Sequence, residues 1–293
     1  MAEPGPCARP TPPPGATNYV VVVLDSCRFD SFVAAAPRHL ARLGPIQRRW
    51  SYATWTAPSH YNLLMGLLPH ESPRNVYASE YYKQDFLRFR ERLNFEVSFA
   101  RMVPHLWLPG YLRAAGYRTG MYVSMPVLNP ATPINRDFDD YALMEHHNDV
   151  VPMIRRLRFY EERPSFYVLN TGETHYPYAT PDEPENDWPR ISGVNGVFKH
   201  LDDHLRAGQL VATAEAPSFF DDARMAELRA RQVRAVQWVD RAIEELLDTV
   251  PKGTWITVTA DHGELFGEGG YFGHGPVQHD KVFEVPFVEG RIR

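Results

Sequence analysis

The stretch NYVVVVLD, residues 18–25, restricts the fold more than any other part of the chain. It is continuously apolar and β-branched and ends in an acid. Such a run suits a strand buried on both faces, as in a parallel sheet flanked by helices. The pattern recurs. LPGYLRAAGYRTGMYVSM, residues 108–125, reads as a short helix, a turn at Gly116 and a second buried strand. RPSFYVLNTGETHYPY (163–178) and GTWITVTADHGE (253–264) are strands that run into polar loops. Residues 222–250 form the clearest helix, with Val233, Val236, Val239, Ile243, Leu246 and Val250 at spacings of three or four. The alternation predicts an α/β fold: a mostly parallel central sheet with helices on both faces and its chemistry at the carboxyl ends of the strands.

Composition bounds the rest. A chain of 293 residues, 44% apolar and 23% charged, is globular and fits one large domain or two. A net charge of −5 gives no basic footprint for nucleic acid. Two cysteines, Cys7 and Cys27, make no disulfide framework and favour a reducing compartment. Residues 1–17 read as a disordered Pro-rich leader without the apolar core of a signal peptide, and nothing downstream approaches a membrane span. Cytoplasmic location without membrane association is the expectation. The domain is then 18–293, with irregular, aromatic-rich insertions at about 70–107 and 179–221 expected over the active face.

Three strand ends carry polar clusters: Asp25, the stretch from Gly172 to His175, and Asp261 with His262. Two carboxylates and an imidazole meeting at one sheet edge make a divalent metal site. Singly, each has an ordinary reading, since a strand-end Asp caps helices and Asp-His-Gly makes turns. Jointly they favour a metal, because neighbouring buried acids repel unless a cation or proton compensates. In SYATWTAPSHYNLLMGLLPH, residues 51–70, Thr56 stands at the mouth of a helix. It reads as an N-cap, and equally as a nucleophile whose hydroxyl a metal activates; the two roles are compatible. His146-His147 and His200-Asp202-Asp203-His204 look like metal clusters on paper, the second reading better as a solvated helix face.

These segments, over roughly residues 18–290, resemble the alkaline phosphatase superfamily on its sulfatase-like branch. VVVVLDSCRFDSF resembles the opening strand and implies a metal role for Asp25. TAPSHYNLLMGLLP is similar to the sulfatase signature Cys-x-Pro-Ser-Arg followed by Leu-Leu, Gly and Pro. THYPY implies that His175 contacts the substrate or leaving group. VTADHGELFGEGGYFGHG implies metal roles for Asp261 and His262, with His274 where sulfatases carry an anion-binding Lys. KVFEVPFV matches the closing strand loosely, and the small C-terminal sheet of long sulfatases is expected to be reduced or absent.

Two departures direct the reading. Thr56 cannot become formylglycine, and His60 replaces the motif's Arg. A Thr nucleophile resembles the lipoteichoic acid synthases, phosphoethanolamine transferases and nucleotide pyrophosphatase-type phosphodiesterases of the superfamily. The resemblance therefore implies a metal-dependent hydrolase of a small-molecule phosphate monoester or diester, working through a phospho-threonine. Asp25, Thr56, Asp261 and His262 would surround one divalent ion, Mn²⁺ or Zn²⁺ before Mg²⁺ or Ca²⁺. His175 and His274 would be catalytic, as phosphate clamps or general acid. A second metal stays open, because Glu173 and His175 have the wrong spacing for the Asp-x-x-x-His pair of two-metal members. The alternatives are a phosphotransferase to an alcohol, a sulfatase, and a non-catalytic binder of the same fold.

Overall fold

A computed structural model describes residues 10–71, 88–97, 106–189, 221–275 and 277–293. Its elements are, in chain order, β1 (Tyr19–Leu24), α1 (Phe29–Ala35), β2 (Gln47–Trp50), α2 (Thr56–Leu64), α3 (Leu108–Ala114), β3 (Arg118–Val123) and β4 (Asp140–Leu143). There follow α4 (Val150–Arg156), β5 (Ser165–Thr171), α5 (Asp222–Thr249), β6 (Trp255–Ala260), β7 (Leu265–Phe266), β8 (Phe272–Gly273), α6 (Asp280–Phe283) and β9 (Glu284–Arg291). Seven strands form the central sheet in the order β2-β9-β6-β1-β5-β3-β4, and β7 and β8 form a separate hairpin. The valine-rich strand β1 lies in the middle, parallel to β5 on one side and β6 on the other. Only β9 runs against the rest, antiparallel to both β6 and β2.

The period of two along β1 divides its side chains between two cores. Val20, Val22 and Leu24 pack with Phe32 of α1, Ile154 of α4 and the apolar stripe of α5. Tyr19, Val21 and Val23 face the other side, against Leu63 and Leu64 of α2 and Leu112 of α3. A strand covered on both faces needs no polar side, which is why its sequence has none. Each fully buried Val or Leu contributes on the order of 1.5–3 kcal/mol. In α5, Val236, Val239, Ile243 and Leu246 are all buried, as their spacing predicts. Asp221 caps its start by accepting the Ala223 N–H at 2.8 Å.

Two expectations about the periphery change. Residues 10–17 of the Pro-rich leader are held in place: Thr17 N–H donates to the Leu93 carbonyl at 3.1 Å, and Asn94 Nδ2 donates to the Gly15 carbonyl at 2.6 Å. Gly116 (φ +89°) lets Pro10 and Pro12 approach so closely that a Cβ there would lie 2.6 Å from the Pro10 carbonyl oxygen. Residues 88–93, within the expected insertion over the active face, are instead helical at the opposite end of the sheet. There Phe89 packs edge-on to Tyr19 at 6.3 Å, under the amino end of β1.

Glu289 of β9 organises that end. It accepts from Arg92 Nε at 3.0 Å, Arg88 Nη2 at 2.5 Å and Thr257 Oγ1 at 3.2 Å. Burial alone would raise its pKa, but Arg92 and Arg88 hold it below its ordinary value. A carboxylate depressed in the folded state stabilises above its unfolded pKa and loses that contribution as pH falls. Glu289→Gln leaves the buried Arg92 guanidinium without its anion and should cost about 3 kcal/mol at pH 7. Urea unfolding at pH 7 and below pH 4 checks this: the difference from wild type should shrink in acid.

Candidate metal centre and active site

Strand register builds the centre. Leu24 of β1 is level with Ala260 of β6 and with Thr171 of β5. The residues that follow β1 and β6, Asp25 and Asp261, therefore leave adjacent parallel strands side by side. Asp25 is anchored by its N–H donating to the Thr171 carbonyl at 3.0 Å. Its Oδ2 accepts from Asn170 Nδ2, on β5, at 2.9 Å. Asp261 Oδ1 accepts the N–H groups of Ser26 at 3.1 Å and His262 at 2.9 Å. One ligand atom from each of Asp25, Asp261 and His262 can be chosen so that all three lie within 4.8 Å of one another, and all three residues are buried.

This donor set fits a divalent cation. Asp261 Oδ2 is buried and has no hydrogen-bond donor, a costly state for a carboxylate oxygen unless a cation or proton meets it. Burial and the neighbouring Asp25 push the Asp261 pKa well above its ordinary value. Burial would raise Asp25 too, but His175, His262 and His60 carry it below. The two acids thus resist being ionised together in the metal-free chain. His262 is held neutral: burial and His274 take its pKa well below the usual value. Its Nδ1–H donates to the Gly263 carbonyl at 2.9 Å, which leaves the Nε2 lone pair for a ligand.

Thr56 joins this group. Its Oγ1 is 3.3 Å from His262 Nε2 and 3.5 Å from Asp25 Oδ1. It is not the N-cap, however. Trp55 holds that position in extended conformation without a capping side chain, and Thr56 is the first residue of α2. The uncapped start of a nine-residue helix leaves its first amides for an incoming anion. His60, one turn along and fully buried, donates Nδ1–H to the Thr56 carbonyl at 2.8 Å. That nitrogen is also 3.7 Å from Asp261 Oδ2.

His175 and His274 reach the same place from different loops. Their rings meet edge-on at 5.3 Å, and His274 lies 4.3 Å from the His262 ring. His274 Nδ1 is 3.2 Å from Glu264 Oε1 and 3.3 Å from Ser26 Oγ. Burial works against its charge, but Glu264 and Asp25 raise its pKa above the ordinary value. Tyr178 donates its hydroxyl to the other oxygen of Glu264.

Among the described residues, the other polar and aromatic groups around the centre serve structure. Arg28 pairs with Asp30 at 2.7 Å and extends to Glu268 at 2.6 Å. Cys27 is buried, and burial pushes its thiol pKa far up. His279 accepts the Lys281 N–H at the start of α6. Glu173 turns away from the acids and accepts the Val150 N–H at the start of α4. Trp107 belongs to the core and donates to the Arg136 carbonyl. His146 is exposed, whereas His147 packs edge-on to Trp188 at 5.0 Å, so the pair makes no joint site. His200, Asp202, Asp203, His204 and Tyr77, Tyr81 and Tyr82 lie outside the described residues. The sequence reading missed Asn170, Ser26 and Glu264. Asn170 carried a signal, as a polar residue inside an otherwise buried strand.

The fold and the clustered acids, imidazoles and hydroxyl define a sulfatase-type α/β protein. The Sulfatase family model matches residues 17–288, and the chain belongs to that family. No curated protein sequence matches it. Among solved structures it is similar to the C-terminal periplasmic domain of EcEptC from Escherichia coli, with TM-score 0.55 and 13% identity over 95% of this chain and 73% of that one. A zinc complex of the same domain is 14% identical at the same TM-score, over 95% of this chain and 73% of that one. A third neighbour is an enzyme solved with its substrate D-glucosamine-2-N,6-O-disulfate, with TM-score 0.51 and 14% identity over 94% of this chain and 71% of that one. Among the described residues no helix is long and apolar enough to cross a membrane.

Asp261→Asn removes one of the two opposed charges while its amide oxygen can still accept both N–H bonds. The metal-free variant should be at least as stable as wild type. Mn²⁺ or Zn²⁺ at a hundred times its dissociation constant should stabilise wild type by about 2.7 kcal/mol, and the variant hardly at all. Denaturant titrations with and without the ion measure both effects.

Proposed function

We propose that the chain is a metal-dependent enzyme acting on a phosphate ester, with Thr56 as nucleophile. The observation that carries this reading is the Thr56 hydroxyl, 4% exposed and within hydrogen-bonding reach of both His262 Nε2 and Asp25 Oδ1. Asp25, Asp261 and His262, with Thr56, would hold one divalent ion, Mn²⁺ or Zn²⁺. When bound, that ion supplies positive charge that lowers the pKa of the Thr56 hydroxyl and offsets charge building on the phosphoryl oxygens.

Thr56 Oγ1, its proton given up to solvent, attacks phosphorus in line, so that the O–P bond of a phospho-threonine forms as the bond to the departing alcohol oxygen breaks. The first amides of α2 favour the phosphoryl oxygens. His175 and His274 grip the non-bridging oxygens or deliver the proton to the departing oxygen. Water then attacks the same phosphorus, breaking its bond to Thr56 Oγ1, which regains a proton, and releasing inorganic phosphate from a monoester or a phosphate monoester from a diester. The substrate is a small-molecule ester.

An alcohol in place of water gives the transferase alternative. That arm belongs in the test because one neighbour, at TM-score 0.50, is the soluble domain of lipooligosaccharide phosphoethanolamine transferase A from Neisseria meningitidis. Thr56 makes sulfate ester hydrolysis by a formylglycine unworkable.

The test is hydrolysis of p-nitrophenyl phosphate, bis-p-nitrophenyl phosphate and p-nitrophenyl sulfate by chelated protein reloaded with Mn²⁺ or Zn²⁺. Phosphate ester cleavage should need the ion, fall at least about a thousandfold in Thr56→Ala and survive in Thr56→Ser. An added alcohol that takes phosphate faster than water would select the transferase. Cleavage of the sulfate alone would overturn the reading.

A further inference from the structure

Two buried features near the centre are explained by neither the fold nor the proposed chemistry. Ser26, directly after Asp25, has a left-handed backbone with φ 58°. A residue with a Cβ enters that region at a cost, and holds it only where its surroundings over-determine it. Gln232 is fully buried on α5, in a helix whose other inward positions are mainly apolar.

Each accounts for the other. Gln232 Nε2 donates to the Ser26 carbonyl at 2.9 Å and to the Thr174 carbonyl at 3.0 Å. Its Oε1 accepts the Arg28 N–H at 3.4 Å. Every polar atom of Ser26 is then used. The carbonyl meets Gln232, the N–H meets Asp261 Oδ1 at 3.1 Å, and the hydroxyl donates to Asp25 Oδ1 at 3.1 Å.

We infer that Gln232 is a positioning residue for the metal centre, acting through Ser26. It pins the Ser26 carbonyl into α5, and this holds the left-handed turn that aims the Ser26 amide at one carboxylate and its hydroxyl at the other. The second amide hydrogen, on Thr174, ties the His175 loop to the same point. The inference rests on the metal-centre reading for its effect on affinity, and on geometry alone for the coupling between residues 26 and 232.

The experiment is a double-variant cycle. Gln232→Met keeps the length of the side chain and removes its hydrogen bonds. Ser26→Gly takes a positive φ without strain but loses the hydroxyl. Wild type, Q232M, S26G and the double variant are compared by calorimetric titration with Mn²⁺ or Zn²⁺ alone, and by urea unfolding without metal. Q232M should weaken metal binding about 10- to 100-fold relative to wild type, and by less than about threefold relative to S26G. The urea midpoint should likewise fall further when Q232M is made in wild type than in S26G.

Equal effects of Q232M in both backgrounds would overturn the inference, as would failure of Q232M to fold in either. Gln232 would then serve the core at large. If wild type binds neither ion, the metal-centre reading fails, while unequal shifts of the urea midpoint still establish the coupling.

Discussion

Asp25 and Asp261 stand at the ends of adjacent, in-register parallel strands, and this enforced proximity of two buried carboxylates governs the rest of the site. Ordinary charge repulsion would drive such groups apart or keep one protonated. Here the backbone holds both acids in place, because Asp25 follows the fully buried β1 and Asp261 follows β6, buried from Ile256 to Ala260, at the centre of the sheet. Asn170, Ser26 and the His262 amide donate to three of the four oxygens. The fourth, Asp261 Oδ2, has no donor. A cation meeting it would also relieve the repulsion, so the proposed metal affinity and the mutual repulsion of the metal-free acids would have one origin.

The layers around the sheet divide the work. On one face α2 brings Thr56 and His60 to the centre, and its apolar residues fix it against β1. On the other, α5 carries Gln232 under the Asp25 and Thr174 loops. The β7–β8 hairpin delivers Glu264 and His274. Arg28, buried between Asp30 and Glu268, ties that hairpin to the loop after β1. Glu289 accepts from Arg88 and Arg92 and so ties β9 to the helical residues 88–93 at the opposite end of the sheet.

The architecture was legible because a strand buried on both faces must be written in continuous apolar residues. Asp25 and Asp261 are conspicuous as the acids that end such runs, and Thr56 stands out where an apolar helix begins. Lateral register was not legible. Asn170 meets Asp25 across 145 positions of sequence and Glu264 meets His274 across 10, and neither pairing leaves a spacing signature. Residues 88–93, read as part of an irregular insertion over the active face, are helical at the other end of the sheet, because Phe89 and Leu93 are as good in a core as in a lid. The proline-rich leader reads as disordered by composition, yet its residues 10–17 are held where Asn94 and Leu93 bond to their backbone and a turn closes between Pro13 and Ala16.

In the proposed mechanism the Thr56 oxygen carries the phosphoryl group between substrate and acceptor. Rapid quenching of the metal-loaded protein with a phosphate ester, followed by mass spectrometry of its peptides, tests this directly. The expected result is a phosphoryl group on Thr56, formed at least as fast as turnover and absent in Thr56→Ala. Turnover with no phosphoprotein at any quench time, or with the phosphoryl group on another residue, would contradict it.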